Sequence, residues 1–509
     1  MRNIDPNIPV ALLLTGWRAT AANPRTKAQE AIESIGRKEP IKSSVWGVLA
    51  VKMSGDTVVC VNPRQKMVPA SNMKLLTTGL ALRMLGEDYR FETSLGYSGT
   101  IQDSTLVGDL YIIGGGDPTT GSGADCAEPL KDLFAKWQKI VRDAGINRIN
   151  GRIIGDARFF GSSEPESRGW TYEDMGAAYG AGPDGLNFYE NMQNFYVTPG
   201  PAVGTRPFIR PRFPDTPWMQ VGNVAVTGKS KTANDLFYVA SEFGPFGEVR
   251  GHFPLDRKGY TLECANRFGA YTCAFYFYRY LNSNGIPVDG FGDISNLGYI
   301  RTDLVYTDAA GTSAVPAKDL KVIGSTKSAT LADIVDRTNK RSNNFYAETL
   351  LKMIGKKGMN SAIADSCQTA AENALVAMGL KVKGNCQYFD GSGLSRKNYV
   401  TPAFFVAFLK IMARGKVFKP FFDSLPVAGQ KGTLEQRLNG SPEELRKRIH
   451  AKTGSMNGVR CLSGYIESGD GNPENMIIFS LMTNNTISTS WTAYLLLDDI
   501  VEAIALENE

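Results

Sequence analysis

Apolar positions change their spacing several times along the chain, and the changes outline its elements. Near Thr26–Gly36 the spacing fits a helix. Trp46–Lys52 and Thr57–Val61 are β-rich runs divided by Ser54-Gly55-Asp56, which predicts a hairpin. Apolar residues at 73, 76 and 80, with no interior proline, predict a helix starting close to Ser71. From about Phe91 to Ala314 the texture differs: short β-like runs such as Asp109–Ile113, Ile153–Ile154 and Phe195–Val197 lie among Gly, Pro and Asn turns. Helical spacing returns at Ala329–Gly355, Ser361–Gly379 and Pro402–Gly415. Arg448–Lys452 and Val459–Ile466 then flank an Asn457-Gly458 turn, Ile477–Thr483 reads as a further strand, and Trp491–Leu506 has helical spacing. Strands at both ends with helices between them predict one α+β domain whose halves, 25–90 and 315–509, are far apart in the chain. Residues 91–314 form the inserted, β-rich part, read as two nested domains.

Composition narrows the picture. With 42% hydrophobic and 21% charged residues the chain is neither disordered nor fibrous. Its net charge of +5 is spread without any Lys/Arg block, so charge points to no nucleic-acid partner. The apolar run Pro402–Ala413 is interrupted by Lys410 and falls well short of a bilayer span, so no internal transmembrane segment is expected. At the N-terminus, Val10–Leu14 followed by Ala19-Thr20-Ala21-Ala22 has the order of a short leader and its cleavage site, whereas Asp5 and Pro6 suit a leader poorly. Residues 1–24 therefore read either as a degraded signal segment or as a frayed terminus. Among seven cysteines, Cys264/Cys273 and Cys367/Cys386 are close enough in sequence to close small loops; seven unpaired thiols is the other reading. Only His252 and His450 are present, and neither HExxH nor CxxC occurs. A Ser-His-Asp hydrolase or a His/Cys zinc site has little to build with, and any hydrolytic serine needs another base.

Three short motifs supply one. Ser71 and Lys74 stand at i and i+3, so on a helix the amine reaches the hydroxyl. Ser342-Asn343-Asn344 falls between two helical stretches, where a break presents a hydroxyl and a carboxamide together. Lys452-Thr453-Gly454, followed by Ser455, ends a strand, and its glycine allows close approach of a substrate backbone. Alone, each is unremarkable: a helix start, a capping cluster, a strand end. In this order and context they make up the motif set of penicillin-binding proteins and class A β-lactamases. Gly114–Gly116 is read as a turn, since no Gly-Lys-Ser/Thr follows it.

The chain most resembles the penicillin-binding-protein-4-like D-alanyl-D-alanine carboxypeptidases, the low-molecular-mass class C or peptidase S13 group. Beyond the three motifs, the resemblance rests on Gly108–Pro118, on Gly151–Phe160 with Trp170 and Asp174, on Thr338–Glu348, on Asp390–Arg396, and on the long insertion over 75–341. It implies a β-lactamase/transpeptidase-like domain, an antiparallel sheet flanked by helices, carrying large β-rich inserted domains. It also implies a serine-type carboxypeptidase or endopeptidase acting on peptidoglycan stem peptides, acylated by β-lactams, without a cofactor or metal, and placed in the periplasm or otherwise outside the cytoplasm. Peripheral membrane association is left open. The roles carried over are Ser71 as nucleophile, Lys74 as general base, Ser342 as proton relay, Asn344 as a hydrogen bond to the substrate amide, and Lys452 with Thr453 for the terminal carboxylate. Gly454 and Ser455 line the strand, and backbone N–H groups of Ser71 and Ser455 form the oxyanion hole. Asp156, Arg396 and Met456 take the end of the stem-peptide side chain; a structural ion pair or a turn carboxylate is the competing reading for the two charged residues. The rival functions are a β-lactamase, for which no poised Glu is recognisable, and a non-catalytic wall-binding or β-lactam-sensing module, which has no use for a matched nucleophile and base.

Overall fold

A computed structural model describes residues 26–161, 169–241, 244–294, 300–301, 316–487 and 490–507. The segment read as a leader lies outside them. The chain divides into two compact units. One comprises the chain up to Glu87 with Val335–Asn343 and everything from Gln368 onward; the other comprises Asp88–Ile334 with Asn344–Cys367. The domain boundary expected at 315 is thus displaced. Strand Lys321–Lys327 pairs with Glu92–Tyr97, which ties the residues after 315 to the inserted region through a backbone ladder.

The first unit is built on a five-stranded antiparallel sheet. Its strands are β1 (Val45–Lys52), β2 (Thr57–Val61), β3 (Ile449–Met456), β4 (Val459–Ile466) and β5 (Ile477–Asn484), in the order β2-β1-β5-β4-β3. The hairpin predicted at Ser54–Asp56 is present, as is the turn at Asn457-Gly458. Helices α1 (Lys27–Ile35) and α7 (Ser490–Leu506) share a core with the sheet through Ile32, Leu497, Ile500, Val501 and Ile504 against Val48, Ala50, Leu462, Phe479 and Leu481. The α1 start is capped by Thr26, whose hydroxyl accepts from the Gln29 N–H at 3.0 Å and donates to the Val58 carbonyl. Against the sheet also lies α6 (Pro402–Ala413), where the Tyr465 hydroxyl donates to the Leu409 carbonyl at 2.8 Å. Helix α2 (Met73–Leu85) is buried all round from Met73 to Leu82, as a helix enclosed by its own domain must be.

Alternation along β3 decides which side chains face the chemistry. Ile449 and Ala451 belong to the core shared with α7. Lys452 and Gly454 alternate with them and point the other way, toward the start of α2. Lys452, Ser463 and Ser480 stand in register across β3, β4 and β5. The serines form a small polar row in an otherwise apolar sheet: the Asn72 carboxamide donates to Ser463 Oγ at 2.7 Å, and Ser463 Oγ to Ser480 Oγ at 2.9 Å.

The second unit carries a mixed eight-stranded sheet in which Arg148–Asp156 runs parallel to both Leu110–Ile113 and Val288–Ile294. A separate cluster of antiparallel and short parallel strands spans 192–265 with its own core around Phe195, Tyr238, Val249 and Phe253. The region is strand-rich as expected, but among the described residues it also holds two long helices, Leu130–Asp143 and Gly269–Ser283, that the sequence pattern does not predict. The second is crowded with Tyr and Phe, whose propensity favours strands; packing of Phe277 against Trp137 in the core overrides it. No helix among the described residues is long and apolar enough to cross a membrane. None of the seven cysteines is joined in a disulfide, so neither close pair is bridged.

Candidate active site

Ser71 sits in a single 3-10 turn, Ala70–Asn72, that runs directly into α2. Ala70 at its start has φ +46°, a left-handed conformation unusual for a residue with a side chain, and such strain concentrates at functional turns. Lys74, fully buried in the first turn of α2, donates to Ser71 Oγ at 3.0 Å and to the Ser392 carbonyl at 2.7 Å. The i, i+3 spacing therefore delivers the contact expected of it.

The Ser392 carbonyl belongs to the loop Asp390–Arg396, which grips the start of α2. Asp390 accepts from the N–H groups of Gly393 and Ser395 and from the Asn398 carboxamide, making the loop rigid. Thr77 on α2 donates to the Gly391 carbonyl at 2.6 Å and is hydrogen-bonded to the Tyr388 hydroxyl. Gly393 has φ +84°, and a Cβ there would stand 1.9 Å from the Ala70 carbonyl oxygen, so only glycine fits.

Ser342 occupies the break between α3 (Leu331–Lys340) and α4 (Asn344–Met359) with φ +55°. The break is closed by Ser342 N–H to Asn339 O and Asn343 N–H to Thr338 O. The buried Asn339 side chain anchors it by donating to Thr78 on α2 and to Ser424. Ser342 Oγ in turn accepts from Lys452 Nζ at 2.9 Å, and the same ammonium donates to the Thr453 carbonyl at 3.0 Å. Lys452 is fully buried; burial first, and the neighbouring Lys74 second, hold its pKa well below the ordinary lysine value.

Two hydrogen-bonded pairs, Ser71–Lys74 and Ser342–Lys452, are thus joined by repulsion between their cations. Gly454 follows on β3, where an added Cβ would lie 2.6 Å from the Pro69 carbonyl, and its closeness keeps the strand against the Ser71 turn. Ser455 is exposed at the strand end, its hydroxyl 2.5 Å from that of Tyr494 on α7. The histidines take no part: His450 is bonded to Glu467 and stacked on Phe422, and His252 is bonded to Asp235.

The remaining expected residues lie as follows. Asn344 heads α4 in the second unit and donates to the Tyr179 carbonyl at 2.9 Å. Asp156, also in that unit and nearly fully buried, makes a bidentate ion pair with Arg158 at 2.6 Å. That is the ion-pair reading left open by the sequence. In the first unit Arg396 is exposed and donates to the Asn457 carbonyl, and Met456 is half-buried at the end of β3. Four contributors escaped the sequence reading: Thr77, the Ser392 carbonyl, the Ser463–Ser480 row and Tyr494. Only the serines left a signal, as polar interruptions in apolar strands.

Comparison with known proteins identifies the family. The model of the D-Ala-D-Ala carboxypeptidase 3 (S13) family matches residues 28–494. A D-alanyl-D-alanine carboxypeptidase of Actinomadura sp. (strain R39) is 31% identical over 94% of this chain and 85% of its own. D-alanyl-D-alanine carboxypeptidase DacB of Haemophilus influenzae is 26% identical over 86% of each. The crystal structure of penicillin binding protein 4 (dacB) from Haemophilus influenzae shares the fold, with TM-score 0.77 at 24% identity over 94% of this chain and 99% of that one. The chain belongs to the D-Ala-D-Ala carboxypeptidase 3 (S13) family.

Proposed function

We propose that Ser71 is the acylated nucleophile of a serine-type D-Ala-D-Ala carboxypeptidase acting on peptidoglycan stem peptides. The observation that carries this is the 3.0 Å contact between the Lys74 amine and the Ser71 hydroxyl in a site that holds a second buried lysine. Two ammonium groups so placed repel each other, and a single positive charge shared between them leaves one amine able to accept a proton. Lys74 takes the Ser71 proton while Oγ attacks the carbonyl of the penultimate D-Ala. The developing oxyanion meets the backbone N–H groups of Ser71 and Ser455. Lys452 and Thr453 attract the terminal carboxylate. As the tetrahedral intermediate collapses, the C–N bond breaks and the terminal D-Ala leaves as an amine protonated through Ser342, which the Lys452 bond holds in place. Water then attacks the ester, gives its proton back through Lys74, and frees the shortened peptide. Asn344 serves the substrate amide in this scheme, and Arg396 and Met456 stand on the stem side of β3. A β-lactam enters the same first step and leaves a slowly released ester on Ser71. Such a substrate places the enzyme outside the cytoplasm.

The test is incubation with a fluorescent penicillin, intact mass and peptide mapping, alongside D-Ala release from a D-Ala-D-Ala peptide. A long-lived adduct on Ser71, absent from Ser71→Ala, is the expected result. Rapid antibiotic hydrolysis would assign a β-lactamase instead, and no adduct with no peptide cleavage would leave a binding module.

A further inference from the structure

The break that presents Ser342 is tied to the helix that carries Lys74 by one buried side chain. Asn339, wholly enclosed in the last turn of α3, gives one amide hydrogen to Thr78 Oγ1 at 3.2 Å and the other to Ser424 Oγ at 2.8 Å. Both hydroxyls have already committed their own protons, Thr78 to the Lys74 carbonyl and Ser424 to the Phe421 carbonyl, each at 2.6 Å. They offer Asn339 lone pairs alone, so only a side chain with two donors satisfies them, and the carboxamide has one orientation open to it. Its Oδ1 is buried with no hydrogen-bond partner among the described residues. An unmet acceptor costs stability, and apolar groups of the same shape in place of the whole set would avoid that cost. The carboxamide is thus a poor stabiliser of the fold, and what it does supply is a fixed position.

What it fixes is the separation between two reacting groups. The Lys74 carbonyl, Thr78 Oγ1 and Asn339 Nδ2 form a chain that ends three residues before Ser342, whose own N–H returns to the Asn339 carbonyl at 3.3 Å. Ser342 has φ +55°, a conformation that persists only where its surroundings impose it. We propose that Asn339 is a positioning residue: by tying the α3–α4 break to α2, it sets Ser342 where its hydroxyl protonates the departing amine. This rests on the D-Ala-D-Ala carboxypeptidase reading. In that step the C–N bond breaks, the nitrogen takes the Ser342 proton, and Ser342 is reprotonated by the Lys452 ammonium bonded to it at 2.9 Å. Activation of Ser71 does not pass through Asn339, because the Lys74 amine is held independently by Ser71 Oγ and the Ser392 carbonyl. Loss of the tie is therefore felt only by leaving groups that need a proton.

The experiment compares two substrates with the same acyl group: a D-Ala-D-Ala peptide, which expels an amine, and the corresponding thioester, which expels a thiolate and needs no proton. Because deacylation is common to both, kcat/KM is the quantity read. The variants are Asn339→Leu, which keeps the branched shape and removes both donors, Thr78→Val, which removes the acceptor on α2, and Thr78→Ser, which retains a hydroxyl there. In Asn339→Leu and Thr78→Val, kcat/KM for the peptide should fall about ten- to hundredfold, part of what a well-placed general acid supplies, while that for the thioester stays within about twofold. Thr78→Ser should keep the wild-type ratio of the two. Ser342→Ala should show the same dependence on leaving group, and combining it with Asn339→Leu should add nothing, because both act through one hydroxyl. Thioester turnover also reports that the variant is folded; if Asn339→Leu does not fold, the Thr78 pair decides. An unchanged peptide rate, an equal loss on both substrates, or additive effects in the double variant would each overturn the role. Failure of the underlying reading is distinguishable, since the wild-type chain would then neither cleave the peptide nor form an adduct on Ser71, and the inference would fall with it.

Discussion

Replacing Gly454 by alanine would set a methyl group 2.6 Å from the Pro69 carbonyl oxygen and 3.1 Å from Asn72 Oδ1, where ordinary contact begins at 3.4 Å. One of the two backbones has to move by about 0.8 Å. Neither can yield alone at low cost. Strand β3 is held along its whole length by β4, and the Pro69–Asn72 turn is pinned through Asn72 to Ser463. The displacement therefore opens the gap between the Ser71 turn and the strand that carries Lys452 and the Ser455 N–H. Overpacking of this kind destabilises by about 1–3 kcal/mol. A misplacement approaching 1 Å between reacting groups lowers rates about a hundredfold. The second-order rate of acylation by a fluorescent penicillin should thus fall about a hundredfold, measured well below a melting transition followed in parallel. Acylation at the wild-type rate in a folded Gly454→Ala variant would refute the claim that this glycine sets the distance between nucleophile and strand.

Three further outcomes follow from contacts elsewhere in the first unit. Because burial and Lys74 hold the Lys452 pKa below its unfolded value, the unfolded chain binds a proton that the folded one does not between the two values. Stability should rise with pH over that interval and level off above the unfolded lysine value, and Lys452→Met should flatten the rise in denaturant titrations across alkaline pH. Arg437→Met leaves Asp498 buried without its cation and should cost about 3–5 kcal/mol, read as a shifted urea midpoint; Arg437→Met with Asp498→Leu should recover most of it. Thr77→Val removes the hydroxyl between α2 and the Tyr388–Gly391 loop, so it should destabilise by about 1–3 kcal/mol and slow acylation by freeing the loop whose Ser392 carbonyl receives Lys74.

Local chemistry makes the site legible in the sequence. Ser71 and Lys74 needed only helical spacing, and the break at Ser342 followed from two helical patterns with a capping cluster between them. What joins the motifs was not legible. That Lys452 reaches Ser342 depends on the packing of β3 against the α3–α4 break. Tyr494 lies on the C-terminal helix, and its hydroxyl meets Ser455 only because α7 packs beside the end of β3. The helix Gly269–Ser283 was hidden by its aromatic content, whose strand propensity yields to tertiary packing. The domain boundary at 315 failed for a similar reason, since the pairing of 321–327 with 92–97 spans more than two hundred residues and leaves no mark on either segment.

The order of strands in the first sheet also governs when the molecule can come into being. Strand β5 lies between the N-terminal hairpin and the β3–β4 pair, with Leu49 opposite Ser480 and every residue of β5 buried. During synthesis the β1–β2 hairpin emerges early with one edge of β1 unmated, and it must wait for nearly the entire chain before its neighbour exists. Until then the edge is a template for wrong pairings, and closing so long a loop is entropically costly and slow. A chain terminated before Ile477 would contain Ser71, Lys74, Ser342 and Lys452 yet have no sheet to assemble them on. Competence is therefore granted by the residues from Ile477 onward, and chaperone demand, truncation tolerance and the timing of activity are all set by the late arrival of one buried strand.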